Sequence, residues 1–282
     1  MKKISLFITC LLFSANILIS QNLQLMTYNL RYDNPNDGVN QWNNRKEFIL
    51  CQINYYEPDI FGTQEGKTHQ IEWLNTNLDN YAFVGIGREE EKGNGVGEYS
   101  AIFYNKNLIE VLESNTFWLS ESPTLPTKGW DAAQYRICTY ALFQNIKTGL
   151  RFYVFNTHFD HKGDIAREKS AELILQKLKT INKKNYPSVL MGDFNLTPDS
   201  APIQKIASEM NDSKQICKTK PFGPEETFSD FDVCKSPQKR IDFIFTSKNN
   251  IEVAKYATIV DVENVRYPSD HYPVLISVNI KK

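Results

Sequence analysis

Short apolar segments rich in Val, Ile, Phe and Tyr recur along the chain and predict β-strands. They lie at Leu23–Leu30, Ala101–Tyr104, Ile137–Phe143, Arg151–His158, Ser188–Met191, Ile241–Thr246 and Tyr272–Ile280. Between some of them, apolar residues recur every three or four positions, as in amphipathic helices. These helices are predicted at Arg45–Tyr56, Thr68–Leu78, Ile165–Ile181 and Pro202–Glu209. Interleaved strands and helices indicate α/β or α+β layers.

The first twenty residues have a different pattern. Two lysines precede an apolar run from Ile4 to Ile19, which is shorter than a membrane span and is interrupted by polar residues. This pattern is typical of a signal peptide, so we expect residues 1–20 to be removed near Ser20 on export to the periplasm or the extracellular space. A retained membrane anchor is the alternative. Residues 21–282 contain no repeat or low-complexity linker and are interpreted as one domain, without a transmembrane segment.

Composition and charge narrow the range of partners. Hydrophobic residues make up 41% of the 282 residues and charged residues 23%, which excludes disordered and fibrous classes. Removing the two leader lysines leaves 30 basic against 33 acidic residues, so the mature chain is slightly acidic. This balance argues against a dedicated binder of long polyanions, which usually carries a basic stripe, although it leaves room for a local basic groove.

The cysteines are the next feature of the sequence, as candidates for a disulfide or a zinc site. Cys10 lies in the leader, which leaves Cys51, Cys138, Cys217 and Cys234 in the mature chain. Exported proteins can form disulfides, and Cys217 with Cys234 is the expected pair because the two flank a loop containing Pro and Gly. Isolated thiols are the alternative. The metal-binding CxxC spacing is absent, so a zinc site is not predicted.

Polar residues follow the ends of several predicted strands. They are Asn29, Gln64, Glu65, His158, Asp193, Asn195, Asp242, Asp270 and His271. Because a strand end is rigid while the next residue is exposed, such residues are candidates for one shared rim. Phosphoester hydrolysis requires carboxylate and amide ligands for a hard cation, a base for water, and histidines near the phosphate. Each residue alone also has a structural interpretation, as an Asx turn, a helix cap or a strand-end hydrogen bond.

The order of these residues resembles the endonuclease/exonuclease/phosphatase superfamily. The matching segments are Thr27–Arg31, Gln64–Glu65, Glu98 before Ala101–Tyr104, Asn156–His158, Gly192–Asn195, Arg240–Asp242 and Ser269–His271. They span nearly the whole mature chain. The resemblance implies a four-layer α/β/β/α sandwich of two packed mixed sheets, with the site at one edge of the paired sheets.

The resemblance also implies a metal and a water-activating group. Asn29, Glu65 and Asp270 would lie at a magnesium ion, with manganese as the alternative ion. Asp193 would activate the attacking water, and Asn195 would orient it.

Histidines complete the implied site. His271, oriented by Asp242, would contact the scissile phosphate. His158 would stabilise the phosphate or protonate the leaving group, with Glu98 orienting its ring.

Two further stretches resemble a secreted bacterial subgroup of the family. They are Arg31–Gly38, continuing to Trp42 and Arg45, and Gly129–Ala133, leading to Arg136. Arg136 is a candidate phosphate contact, since its planar guanidinium can bind bidentately, and a structural arginine paired with Asp131 is the alternative. Trp42 and Trp130 either line the substrate cleft or belong to the core. Residues 88–97, acidic and then rich in glycine, are expected to form a solvated hairpin tip.

These features predict a magnesium-dependent phosphoester hydrolase, with a phosphodiesterase as the preferred interpretation, in which water attacks phosphorus. A 3'-5' exonuclease or endonuclease acting on nucleic acid is the alternative. A further alternative, from a different functional class, is a non-catalytic binding protein with the same fold. The expected substrate is a small-molecule phosphoester, a lipid head group or a nucleic-acid end. No stable protein partner is implied.

Overall fold

The computed structural model describes residues 20–89, 96–235 and 239–281. Its strands in chain order are β1 (Ser20–Asn29), β2 (Ile60–Gln64), β3 (Gly66–Lys67), β4 (Tyr81–Val84), β5 (Glu98–Tyr99), β6 (Ile102–Asn105), β7 (Ile109–Trp118), β8 (Ile137–Asn145), β9 (Arg151–His158), β10 (Ser188–Asp193), β11 (Asn211–Asp212), β12 (Asp242–Thr246), β13 (Ile251–Thr258) and β14 (Val274–Lys281). The α-helices are α1 (Lys46–Tyr56), α2 (Thr68–Asn77), α3 (Asp164–Ile181), α4 (Ala201–Glu209) and α5 (Ser213–Ile216). Two 3-10 helices lie at Pro35–Asn40 and Trp42–Asn44.

Two six-stranded mixed sheets form the centre of the molecule. The strand order is β13-β14-β1-β2-β6-β4 in the first sheet and β11-β12-β10-β9-β8-β7 in the second. The pair β1–β2 is parallel in the first sheet, and the pair β9–β10 is parallel in the second. Parallel neighbours end at the same edge, so residues after these strands lie side by side.

Three hydrophobic layers separate and cover the sheets. The inner layer packs residues of both sheets together, as with Leu25 of β1 against Met191 of β10. One outer layer packs α1 and α2 on the first sheet, and the other packs α3 and α4 on the second. Successive residues of β10 alternate between layers: Val189 lies in the inner layer and Leu190 in the outer one. The predicted α/β/β/α sandwich is confirmed.

The predicted elements are all present, with ends shifted by at most three residues. Five strands of the large sheets were not predicted: β2, β4, β7, β11 and β13. Strand β7 exposes much of its length, so its residues do not form an apolar run. The short β2 and β4 have too few residues to show a period.

Buried amide side chains join the two sheets beneath the edge where β2 and β9 end. Asn156 Nδ2 donates to the carbonyls of Thr63 (2.9 Å) and Ala101 (2.8 Å). Gln64 Nε2 donates to Asn156 Oδ1 (2.7 Å) and to Thr27 Oγ1 (3.0 Å). These contacts are hereafter the inter-sheet amide bridge.

A glycine makes room for this bridge. A Cβ at Gly62 would lie 2.6 Å from the Asn156 side chain, so the residue opposite the amide must be glycine for the sheets to approach this closely.

The expected disulfide between Cys217 and Cys234 is wrong, because all four described cysteines are free. Cys217 Sγ instead contacts the carbonyl of Ala254 at 3.7 Å, while Cys234 is exposed. Sequence spacing carries no information on the distance between two thiols, and that distance decides pairing.

The predicted signal peptide, residues 1–20, lies outside the described residues except for Ser20, where β1 begins. Among the described residues, no helix is both long and apolar enough to span a membrane.

Asn156→Ala should lower the free energy of unfolding by roughly 2–4 kcal/mol, because it leaves buried carbonyls and the Gln64 amide without their partner. Asn75→Ala, at an exposed position of α2, is the matched control and should cost less than about 0.5 kcal/mol. Urea unfolding followed by circular dichroism measures both variants. A loss below about 1 kcal/mol for Asn156→Ala would show that the bridge does not hold the sheets together.

Candidate active site

Polar side chains from both sheets converge at one edge of the sandwich. Asn29, His158 and Asp193 are the last residues of β1, β9 and β10, Glu65 follows β2, Asp242 begins β12, and His271 precedes β14. The ladders place Asp193 opposite both His158 and Asp242. The predicted convergence of strand-end residues on one rim is therefore observed.

A carboxylate pair and a histidine form the centre of this cluster. Ligating atoms of Glu65, Asp193 and His271 all lie within 4.8 Å of one another. Asn29 Nδ2 donates to Glu65 Oε1 (3.1 Å) and Asp193 Oδ2 (3.0 Å). The two carboxylates and the Asn29 amide are chemically suited to a divalent cation.

Asp193 is almost fully buried. Its Oδ1 accepts a hydrogen bond from the backbone N–H of Asn195 at 2.8 Å. Burial and the nearby charge of Asp242 raise the pKa of Asp193 to about 7, and the opposing effect of His271 is smaller. A carboxylate with this pKa is suited to take a proton near neutral pH.

His271 is held by a buried carboxylate, as expected. Its Nδ1 lies 2.8 Å from Asp242 Oδ2, which also accepts a hydrogen bond from Thr227 Oγ1 at 2.6 Å. Burial lowers the pKa of His271, but the charges of Asp242 and Asp193 together raise it by more. The pKa of His271 is therefore well above its usual value. The raised pKa favours the protonated ring, which is suited to face a phosphoryl oxygen.

Asp270 lies beside the central cluster. Its Oδ2 is 3.6 Å from Arg31 Nη1, and its Oδ1 accepts a hydrogen bond from Ser269 Oγ at 3.3 Å. Burial raises the pKa of Asp270 to about 6, although His271 lowers it. The most compact group of potential ligands therefore contains Asp193 and His271, and Asp270 lies outside it.

His158 and Asn195 contact each other. Asn195 Nδ2 donates to His158 Nε2 and to the carbonyl of Phe159, both at 3.0 Å. Burial, followed by the charges of Arg136 and Arg88, lowers the pKa of His158 well below its usual value. A neutral ring whose Nε2 accepts a hydrogen bond suits an oriented polar contact better than a proton donor.

The expected contact from Glu98 to His158 is wrong. Glu98 instead accepts a hydrogen bond from Arg88 Nη1 at 2.7 Å. Arg88 itself is 9% exposed and lines the cavity above the cluster, although residues 88–97 were expected to form a solvated tip. Residues 90–95 of that segment lie outside the described part of the chain.

The cavity above the cluster has a volume of about 590 Å³. Its lining combines the acidic cluster with basic side chains, namely Arg31, Arg88, Arg136, Lys239 and the imidazoles of His158, His161 and His271. A volume in this range accommodates a phosphate and one compact organic group.

Arg136 lies in the cavity wall with one hydrogen-bonding group unused. Its Nε donates to Asp160 Oδ2 (3.3 Å) and its Nη2 to His161 Nδ1 (3.1 Å). Its Nη1 is buried and has no hydrogen-bond partner among the described residues. A buried guanidinium with a free donor is suited to bind an anion, because an unpaired buried donor is costly.

The alternative partner considered for Arg136, Asp131, is wrong. Asp131 accepts hydrogen bonds from the backbone N–H groups of Ile165 (3.3 Å) and Ala166 (2.7 Å) and so caps the start of α3.

Neither tryptophan lines the cavity. Trp42 is 2% exposed and packs edge to face against Trp73 in the outer layer below α1 and α2. Trp130 lines a separate surface groove with Glu121 and Lys169. The core alternative is therefore correct for Trp42, and Trp130 lies outside the cavity above the cluster.

Residues around the cavity that were not predicted include Arg88, Asp160 and His161. Asp160 is 1% exposed and accepts hydrogen bonds from the backbone N–H groups of Lys162 and Gly163, both at 2.9 Å. Its position two residues after His158 was the only available signal. Nothing in the sequence separated Arg88 from the glutamates that follow it.

Most of this chain is similar to known proteins of one family. A model of the endonuclease/exonuclease/phosphatase family matches residues 26–271. A solved protein of that family from Bacteroides thetaiotaomicron is 35% identical, with a TM-score of 0.88 over 93% of this chain and 99% of that one. A mannosyl-6-phosphatase from the same organism is 37% identical, with a TM-score of 0.86 over 91% of this chain and 99% of that one.

A further relative is more distant. Mouse nocturnin is 26% identical over 251 residues, which cover 83% of this chain. The chain spans only 56% of the length of nocturnin.

Asp242→Asn should lower the pKa of His271, because the carboxylate that favours the imidazolium is lost. The measurement is an NMR titration of the histidine ring nitrogens in chelator-treated protein. His69, whose side chain is mostly exposed and pairs with Asp33, is an internal reference that should not change. An unchanged His271 pKa would contradict the electrostatic description of the pair.

Proposed function

Since the chain belongs to the endonuclease/exonuclease/phosphatase family and is a phosphoester hydrolase, we propose that it is a divalent-metal-dependent phosphatase acting on small phosphomonoesters. The observation that carries this proposal is that the carboxylates of Glu65 and Asp193 lie close together in the cavity that His271 and Arg136 also line, where Arg136 Nη1 has no partner among the described residues. The carboxylates are suited to a cation and a water, and His271 and Arg136 are suited to phosphoryl oxygens.

Glu65 and Asn29 would hold the metal, with Asp270 close by, and magnesium is the ion we propose. Carboxylate and amide oxygens are the ligands that this ion prefers. When bound, the ion would neutralise negative charge on the phosphoryl group. Because Asn29 now presents its Nδ2 to the two carboxylates, its amide would have to rotate to offer oxygen, and the two orientations fit the same volume.

The chain's own residues account for the remaining steps. Asp193 would take the proton of the attacking water, which Asn195 helps to orient. Arg136 and the His271 cation would bind the phosphoryl oxygens and stabilise the charge that develops there. Asp242 keeps His271 charged and correctly oriented.

Two observations favour monoesters over the diesters preferred on sequence alone. The guanidinium groups of Arg88 and Arg136 both line the cavity and supply positive charge that a dianionic monoester would need. The mannosyl-6-phosphatase is 37% identical, so a sugar phosphate is the first substrate class to test. A diesterase or nuclease is the second candidate, favoured by 21% identity over 301 residues to the 3'-5'-exoribonuclease subunit Ccr4 of Debaryomyces hansenii.

Export is part of the proposal. The signal-like residues 1–20 support release of a mature domain to the periplasm or the extracellular space. A small-molecule phosphoester is the proposed partner.

Small esters should be better substrates than nucleic acid, because the chain is nearly neutral and lacks a basic stripe. Catalytic efficiency on mannose 6-phosphate and p-nitrophenyl phosphate is compared with that on short oligonucleotides and supercoiled plasmid, with magnesium and then with chelator. Faster plasmid nicking that is strongly inhibited by salt would place the nuclease first. Hydrolysis insensitive to chelator would contradict metal dependence.

Asp193→Asn should lower turnover by about 10³-fold while the fold is retained, because an amide cannot accept the proton. Steady-state kinetics and a thermal melt are measured together. Asp79→Asn, at an exposed position, is the control. Activity of Asp193→Asn within about tenfold of wild type would remove Asp193 from the role of base.

Glu65→Gln should raise the magnesium concentration for half-maximal rate by more than about tenfold, because it removes a charged ligand. Glu72→Gln, on the exposed face of α2, should leave this concentration unchanged. The measurement is the rate as a function of magnesium at saturating ester. An unchanged magnesium dependence in Glu65→Gln would place the ion elsewhere.

A further inference from the structure

His161 lies in the loop after β9, where its side chain is exposed and lines the cavity. The preceding residue, Asp160, is buried. Its carboxylate accepts hydrogen bonds from the backbone N–H groups of Lys162 and Gly163. Arg167 Nη1 also donates to the Asp160 carbonyl at 3.1 Å. These bonds fix the loop, so the position of the imidazole is set by the fold.

Arg136 determines which ring nitrogen of His161 carries the proton. A guanidinium can only donate, so Nδ1, 3.1 Å from Arg136 Nη2, must accept. The proton of the neutral ring is then on Nε2. Burial and the charge of Arg136 also lower the pKa of His161, which favours this neutral form.

The Nε2–H of His161 is a donor without a partner among the described residues. It differs from the other donors of the cavity, because Arg136 and His271 are charged and suit the phosphoryl oxygens. A neutral N–H suits a neutral acceptor such as a hydroxyl group.

The position of His161 indicates which part of the substrate it meets. Asp193 and His271, which act at phosphorus in the proposed function, are 1% and 4% exposed and form the floor of the cavity. His161 belongs to the solvent-exposed wall. With the phosphate at the floor, the alcohol part of the ester extends toward that wall.

We propose that His161 is a specificity-determining residue whose Nε2–H donates a hydrogen bond to a hydroxyl or ring oxygen of the alcohol part of a small phosphomonoester. This inference rests on the proposed function. It selects polyol and sugar phosphates over esters whose leaving group carries no hydroxyl.

The test compares His161→Ala with wild type on two esters, mannose 6-phosphate and p-nitrophenyl phosphate, whose leaving group has no hydroxyl. In His161→Ala, the ratio of kcat/KM for mannose 6-phosphate to kcat/KM for p-nitrophenyl phosphate should fall about tenfold. This is the loss expected for one neutral hydrogen bond. His161→Asn, which keeps a donor and an acceptor, should recover part of the ratio. His69→Ala, outside the cavity, is the control and should leave the ratio unchanged.

A binding experiment separates this inference from the proposed function. In an Asp193→Asn background with magnesium, calorimetry measures the affinity for mannose 6-phosphate and for inorganic phosphate. Adding His161→Ala should weaken sugar phosphate binding about tenfold more than phosphate binding. If this binding difference is found but the wild-type protein hydrolyses no monoester, only the proposed function is refuted. Equal losses for both ligands and both esters, or no change, would overturn the role of His161.

Discussion

The hydrogen bonds between Asn156 and the first sheet are the constraint on which the candidate site depends. Asn29 and Glu65 come from the first sheet, whereas His158, Asp193 and Asp242 come from the second. Side chains from two sheets keep fixed distances only if the sheets keep one relative position. Apolar packing alone tolerates some sliding, but a buried amide loses its partners when displaced by about 1 Å. The inter-sheet amide bridge lies directly below the site, so it sets the spacing between Glu65 and Asp193.

The electrostatics of the site follow from this enforced proximity. Asp193, Asp242 and Asp270 are buried at the same edge, and burial raises the pKa values of Asp193 and Asp270. His271 offsets part of this cost as a buried cation. Arg136 presents the complementary feature, a buried cation whose Nη1 has no partner in the part of the chain that the structure describes. Such groups destabilise a folded protein unless a ligand compensates them, and a cation on the carboxylates with a phosphate on the guanidinium would do so.

Much of this organisation was predictable from the sequence, because both faces of strands such as β10 are buried and read as a continuous apolar run. The strand-end residues were identified for a related reason, since each directly follows or begins such a run. Contacts between distant segments were not predictable. Arg136 donates a hydrogen bond to Asp160 instead of Asp131, and Glu98 accepts one from Arg88 instead of contacting His158. Trp42 and Trp130 show the same limit: one packs in the core and one lies in another groove, although both are aromatic residues in family-like stretches.

We propose that one edge of the sandwich holds both a divalent cation and a phosphoryl group in the cavity above Asp193. The most direct measurement is a crystal structure with manganese and inorganic phosphate, with data collected at the manganese absorption edge. We expect an anomalous peak within coordination distance of Glu65 and phosphate oxygens hydrogen-bonded to Arg136 Nη1. A cation bound away from Glu65, or phosphate that leaves Arg136 unpartnered, would contradict it.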